Sequence, residues 1–405
     1  MTPRVAEFWV TGQPRRRFQR PESTFVVVFA LLMTLLVALM GCDGTPARHT
    51  QSTVPPSPTS SLLQNSTPLA GANLPMLAIT RWRVAYLAAD GHLHLLTFDG
   101  KQDTRGPRLP DMNFYGLDFA SAGISPNGAT LAYNAATGLT ILDVGGHGTR
   151  TQQDQAIYQM AWSPDGSRLA LGDDIGGIWT VRASGGSPTA VHGTPRNDTY
   201  RLVGWLDATH VAVSAAASDS TPNAFMLNAL DVNSGALRHI ATITVSGIGK
   251  PQVALSPDGK QAIIWNAPFQ DDPFTPLVAV VNTATGAVRK LPGITKVTGS
   301  GFTSLAWKPG THTVAVSTGF ATNSNLQAWL LDMQGDGAIR LIGGQYVVAW
   351  APFNDILVLS TSNTTTVGEG PHSISAAVFS GGRYSLQELT RNARSFPIVG
   401  FAQTP

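Results

Sequence analysis

One cysteine, Cys42, stands in a chain of 405 residues, so disulfides within the chain and metal sites built on several thiolates are excluded. Charge is scarce as well. Asp, Glu, Lys and Arg together make up 13% of the residues, about half the usual quarter. The formal net charge of +2 is a local excess: Arg4, Arg15, Arg16, Arg17 and Arg20 against Glu7 and Glu22 leave +3 ahead of Cys42, and from Cys42 onward 22 basic residues face 23 acidic ones. With neither a basic stripe nor a charged block in that longer part, binding to nucleic acid is not expected. Catalytic signatures are missing too. The chain has no G-x-S-x-G elbow, no H-E-x-x-H and no G-x-x-x-x-G-K-[ST] loop, so the motif grounds for a serine hydrolase, a zinc peptidase or a nucleotide site are absent. "GSG" at Gly299–Gly301 lacks a third glycine at the required spacing and reads as a loop. What is present is 43% hydrophobic residues with 41 glycines and 27 prolines, the composition of a large core crossed by many turns.

The first 41 residues read as an export signal. "RRRFQR", Arg15 to Arg20, precedes the apolar run "FVVVFALLMTLLVALM", Phe25 to Met40, a charged n-region followed by an h-region. The run is short of the roughly 20 residues that span a bilayer comfortably. It ends in "LMGC", where Leu39, Met40 and Gly41 lead into Cys42. This tetrapeptide resembles the bacterial lipobox, and the resemblance implies cleavage before Cys42 and a diacylglyceryl group on its thiol. Each buried methylene contributes about 0.8 kcal/mol, so two or three acyl chains make a stable anchor. An uncleaved signal anchor is the alternative. "RRRFQR" also resembles the twin-arginine export motif, although Pro14 stands where that motif prefers Ser or Thr; plain positive charge is the favoured reading, since the very apolar h-region suits the general secretion route better. Residues 42–78, from the lipidated cysteine through a Ser/Thr/Pro-rich stretch, hold few large apolar groups and are expected to be a disordered linker.

Residues 79–405 repeat. Six segments share the order apolar run, turn, apolar run: "GISPNGATLAY" from Gly123, "AWSPDGSRLAL" from Ala161, "GWLDATHVAV" from Gly204, "ALSPDGKQAII" from Ala254, "AWKPGTHTVAV" from Ala306 and "AWAPFNDILVL" from Ala349. Their second residues, Ile124, Trp162, Trp205, Leu255, Trp307 and Trp350, lie 38, 43, 50, 52 and 43 apart, the period of a propeller blade. A second marker lies between them, an alternating strand, a glycine turn and another strand, as in "LNALDVNSGALRHI" from Leu227, "LVAVVNTATGAVRKL" from Leu277 and "AWLLDMQGDGAIRLI" from Ala328. Four strands per unit follow. A further copy, "LHLLTFDGKQD" from Leu93, has no anchor strand before it, whereas "FPIVGFAQ", Phe396–Gln403, resembles "YRLVGWLD", Tyr200–Asp207. The expected fold is therefore all-β, a seven-bladed β-propeller of four-stranded antiparallel blades whose first blade is closed by the C-terminal strand. Six or eight blades stay open, because Thr194–Thr221 is poorly patterned. The "SPDG" hairpin after a Trp or apolar residue resembles the TolB-like, PD40 branch of the WD40-like propellers, which implies an interaction platform.

Few side chains stand out as chemistry. His92 and His94 alternate on one strand face, without a visible third metal ligand. "DMQGDG", Asp332–Gly337, begins like a calcium loop but lacks the later Glu, so a hairpin turn is expected. "GDDIGG", Gly172–Gly177, and "FQDDPF", Phe269–Phe274, hold paired carboxylates in loops. The Trp anchors are expected in the core, and Tyr115, Phe320 and Phe353 could reach a propeller face. No cofactor is expected. The sequence thus points to a non-enzymatic, lipid-anchored envelope protein on the extracytoplasmic side of a bacterial membrane, binding a protein, peptide or glycan. The alternative is a propeller hydrolase or lyase with a polar, calcium-bound central funnel.

Overall fold

A computed structural model describes residues 81–403 apart from 110–121, 136–137, 152–156, 174, 193–199, 217–223, 245–250, 267–276, 299–301, 319–325, 342–344, 353–354, 362–371 and 381–382. The signal segment, the linker and the boundary between residues 78 and 79 lie outside the described residues.

Strands β1 (Trp82–Ala88), β2 (His92–Leu96) and β3 (Asp103–Arg108) open the described chain. Five four-stranded antiparallel sheets follow. They are β4–β7 (Ala122–Ile124, Thr130–Ala135, Gly138–Asp143, Gly148–Thr151), β8–β11 (Ile157–Trp162, Arg168–Asp173, Ile178–Arg182, Thr189–His192), β12–β15 (Arg201–Trp205, His210–Ala216, Ala224–Asp231, Leu237–Thr244), β16–β19 (Gln252–Leu255, Gln261–Asn266, Leu277–Asn282, Val288–Lys290) and β20–β23 (Phe302–Trp307, Thr313–Thr318, Gln327–Asp332, Gly337–Arg340). Each is a propeller blade. The last strands are β24 (Tyr346–Trp350), β25 (Ile356–Ser360), β26 (His372–Ser380) and β27 (Arg383–Gln403).

Burial explains the strand sequences. The second strand of each blade is sandwiched between neighbouring blades, so β21 and β25 are apolar and buried along most of their length rather than alternating. The fourth strand is an edge, and β19 and β23 are largely exposed. Of the seven apolar clusters among the described residues, six join segments of neighbouring sheets, for example Ala132 and Leu139 with Leu169 and Leu171, or Ile263 and Val280 with Val314 and Val316, and the seventh packs β1 and β2 with β25 and β26.

The sequence predicts seven separate blades, but five separate four-stranded sheets form, and the remaining strands make one seven-stranded sheet in the order β24-β25-β26-β27-β1-β2-β3. The cause is β27, which runs for 21 residues without a break. Its first half pairs with β26 as far as His372↔Ala393, and its second half pairs with β1 from Ala88↔Ala393 to Trp82↔Gln403. The other departure from expectation is a short helix, α1 (Pro292–Thr298). Its first free N–H groups are taken up by a residue far along the chain: the Asp336 carboxylate accepts from Gly293 N at 2.8 Å and Ile294 N at 3.0 Å. Asp336 itself holds φ 60°, a left-handed conformation that Asp tolerates better than most residues.

Candidate functional site: the hairpin face and an interblade groove

The repeated hairpins meet on one face, and a buried serine organises each of the best copies. Ser163 Oγ donates to Asp165 Oδ1 at 2.6 Å and accepts from Arg168 N at 2.9 Å, while Asp165 Oδ1 also accepts from Ser167 N at 3.0 Å. Ser256 with Asp258, and Ser125 with Asn127, repeat the arrangement. The Ser163 hydroxyl, followed by the Ser167 N–H, holds the Asp165 carboxyl down from 3.8 to about 2. All three serines are buried.

The turn glycines answer to two demands at once. Gly259 has φ +69°, and a Cβ there would lie 2.1 Å from Leu206 O of the preceding blade. Gly128 has φ +73°, and its Cβ would lie 2.6 Å from Gln403 N. These two glycines are thus seated against backbone of a neighbouring sheet, with no room for a side chain, whereas Gly166 has its nearest neighbour, Asn127, at 3.4 Å.

Tryptophan ties the inner strands together. Trp162 Nε1 donates to Gly123 O at 3.0 Å, Trp205 to Ala161 O at 2.8 Å and Trp350 to Ala306 O at 3.1 Å. In each case the acceptor is the residue just before the equivalent anchor of the previous blade. Trp205, Trp307 and Trp350 are core residues, as expected for the anchors. Trp307 breaks the pattern, because its buried Nε1 has no hydrogen-bond partner among the described residues. On the same seam Trp265 packs against Phe302 with ring centroids 5.4 Å apart and the planes tilted by 43°, and donates to Phe302 O.

The candidate binding site is a groove of about 790 Å³ between the β20–β23 blade and the β24–β26 strands. Its floor holds Trp350 and Phe379, ring centroids 5.3 Å apart, and Leu330; Ile339 forms one wall and is 50% exposed. Lys308 Nζ lies 5.2 Å from the Trp350 ring centroid and 3.4 Å from Asp355 Oδ1. Asp332 stands at the same opening. The site can take an apolar side chain at its floor and charged groups at its mouth. Sequence reasoning did not find it, because its residues come from six different strands and turns.

The sequence-derived candidates are scattered. Cys42, Leu39, Met40 and Gly41, the "FQDDPF" loop, Tyr115, Phe320 and Phe353 lie outside the described residues, as does part of Thr194–Thr221. His92 and His94 do not converge on a common point. His92 Nδ1 is 3.1 Å from Gly106 O, whereas His94 lies between Asp103 at 3.0 Å and Asp90 at 3.4 Å. Tyr86 donates to Asp103 at 2.7 Å, and burial, then that carboxylate, raises its phenol well above the ordinary range. Asp173 of "GDDIGG" accepts from Ile175 N, Gly177 N and Trp179 Nε1, which uses its oxygens to shape the loop. Asp332 shapes the β22–β23 turn by accepting from Gln334 N. Among the described residues no group of three or more His, Cys, Asp or Glu is placed to hold a metal ion.

No protein-family model and no curated protein matches the chain. Solved structures do. A chain of the mitotic checkpoint complex is 14% identical over 72% of this chain and 84% of its own, with a TM-score of 0.49. A protein named as TolB from Agrobacterium tumefaciens is 14% identical, covering 80% of this chain and 99% of its own, at 0.38. A eukaryotic initiation factor is 11% identical with the same coverage, at 0.42. The propeller assignment rests on the sheet topology itself.

Proposed function

We propose that the chain is a non-catalytic binding platform, held by a lipid on Cys42 at the extracytoplasmic side of a bacterial membrane and presenting its propeller to an envelope protein, peptide or glycan. The binding role is carried by the groove beside Ile339, a cleft with Trp350 and Phe379 in its lining. The lipid anchor is supported by the short apolar run that ends at "LMGC".

We further read the ring as seven blades, with β27 counted into two of them. Three observations support this. The seven apolar clusters run in cyclic order, the last two joining Val84 and Tyr86 to Val358 and Ala376, and Ala85 and Leu93 to Leu131 and Leu142. Gly400 has φ +144° and faces Ile124, just as Gly204, with φ +156°, faces Leu255. Gly128 seats against Gln403 as Gly259 does against Leu206.

The test is crosslinking and pull-down from intact cells with the tagged, full-length chain. A specific envelope partner, recovered with the wild type and not with a chain lacking the propeller, supports the platform. Recovery of no specific partner argues against it. A Cys42→Ser variant is expected to leave the membrane fraction; if it fractionates like the wild type, the lipid reading is wrong.

A further inference from the structure

The fourth strands of three successive blades begin in the same way. In each, a residue four beyond an Asp or Asn returns its N–H to that residue's carbonyl: Gly235 to Asp231, Gly286 to Asn282 and Asp336 to Asp332. All three hold positive φ, at 72°, 74° and 60°. Counting from that position, the third residue on is Arg238, Arg289 and Ile339. The strand register agrees, since these three pair with Ala229, Val280 and Leu330, each two residues before the turn's Asp or Asn. Side chains at this position point toward the following blade, and Arg289 donates across the seam to Met333 O. In the β20–β23 blade, where Asp336 replaces the turn glycine, "GAIR" slides one place and an isoleucine stands at the position from which Arg289 reaches across its own seam and at which Arg238 is exposed. The groove opens at that seam.

We propose that this groove is a docking site for an extended polypeptide segment that carries a bulky apolar side chain next to a basic one. This rests on the platform reading above and specifies its partner. Three features select that occupant. Ile339, Leu330 and Phe379 offer an apolar socket, and half of Ile339 is left exposed, which favours burial of a partner's apolar group. The mouth carries Asp332 and Asp355 against Lys308 alone, so its charge is net negative and complements a cation. β23 is the last strand of its sheet, and the unpaired backbone groups of its outer edge match an added strand. Of the two floor aromatics, Trp350 is 6% exposed with Lys308 over its ring, so the half-buried Phe379 is the aromatic contribution to the apolar socket.

The decisive variant is Ile339→Arg, which restores the residue that blades β12–β15 and β16–β19 carry at this position and is therefore compatible with folding. The full-length chain is titrated with three labelled eight-residue peptides that alternate leucine with lysine, leucine with glutamate, and serine with lysine. Binding is read by fluorescence anisotropy and located by amide hydrogen exchange. The leucine–lysine peptide is expected to bind and to protect β23, and Ile339→Arg is expected to weaken it about tenfold or more. Equal binding of the leucine–glutamate or serine–lysine peptide overturns the proposal. So does an unchanged affinity in Ile339→Arg, no binding of any peptide, or protection of β15 and β19 equal to that of β23. If the pull-down partner is retained by Ile339→Arg, the platform stands and this site does not.

Discussion

At the scale of single residues, the hairpin depends on a hydroxyl more than on the Pro, Asp and Gly that make "SPDG" conspicuous. Ser163 is fully buried and serves a backbone N–H and a carboxylate together. Ser163→Ala is expected to cost about 1–3 kcal/mol, since a buried donor loses its acceptor, and chemical denaturation measures it. The pH dependence has a definite sign. The folded value for Asp165, about 2, lies below its ordinary 3.8, so this stabilisation is complete above about pH 4 and is lost as pH falls through 2. Acid titration of the unfolding midpoint is expected to show a component in that window which Asp165→Asn lacks. The tryptophans give a second comparison. Trp350 donates to Ala306 O whereas Trp307 has no acceptor among the described residues, so Trp350→Phe is expected to destabilise by about 1 kcal/mol more than Trp307→Phe.

At the scale of elements, the strands were legible and the helix was not. The hairpins at Ser125, Ser163 and Ser256 became β4–β5, β8–β9 and β16–β17, because alternation, a fixed-φ proline and a positive-φ glycine all act within about ten residues. The helix "PGITKVT" has seven residues, too few to display a period, and its cap comes from Asp336 in the neighbouring blade. No local residue could have announced it. The groove was hidden for a related reason: the strings "GALR", "GAVR" and "GAIR" look equivalent, and only the turn geometry shows that the third is displaced by one residue. Asp336 joins both features and can be tested by itself. Asp336→Ala loses the helix cap and strains φ, a cost of about 2–3 kcal/mol. Asp336→Gly loses the cap alone and is expected to fall between Ala and wild type in thermal unfolding, with Asp336→Asn nearest wild type.

At the scale of the molecule, stability is shared among seams rather than held in one core. The clusters that join neighbouring sheets are separate, yet β27 couples β26 to β1 in one continuous sheet. Removing residues 396–405 deletes the partners of Trp82 to Tyr86 and uncovers the apolar faces of β1 and β4. The truncated chain is expected to lose the single cooperative unfolding transition and to aggregate on heating; a wild-type melting curve in its place would show that the pairing contributes nothing. This long-range link was visible in the likeness of "FPIVGFAQ" to "YRLVGWLD". The joining of the first three and last four strands into one sheet was not, because it depends on β27 continuing through Ala393 without a turn.

That shared strand also sets a timetable. β1 is made early, but its partner in β27 is about three hundred residues downstream, and contacts so distant in sequence form slowly. A ribosome releases roughly 5–20 residues each second, so the first strand waits many seconds for its mate. During that interval the chain is an unclosed array whose first strand still lacks its β27 partner. Pairing at β1 is complete only after the last strand has been made, so the two ends of the described chain are joined last.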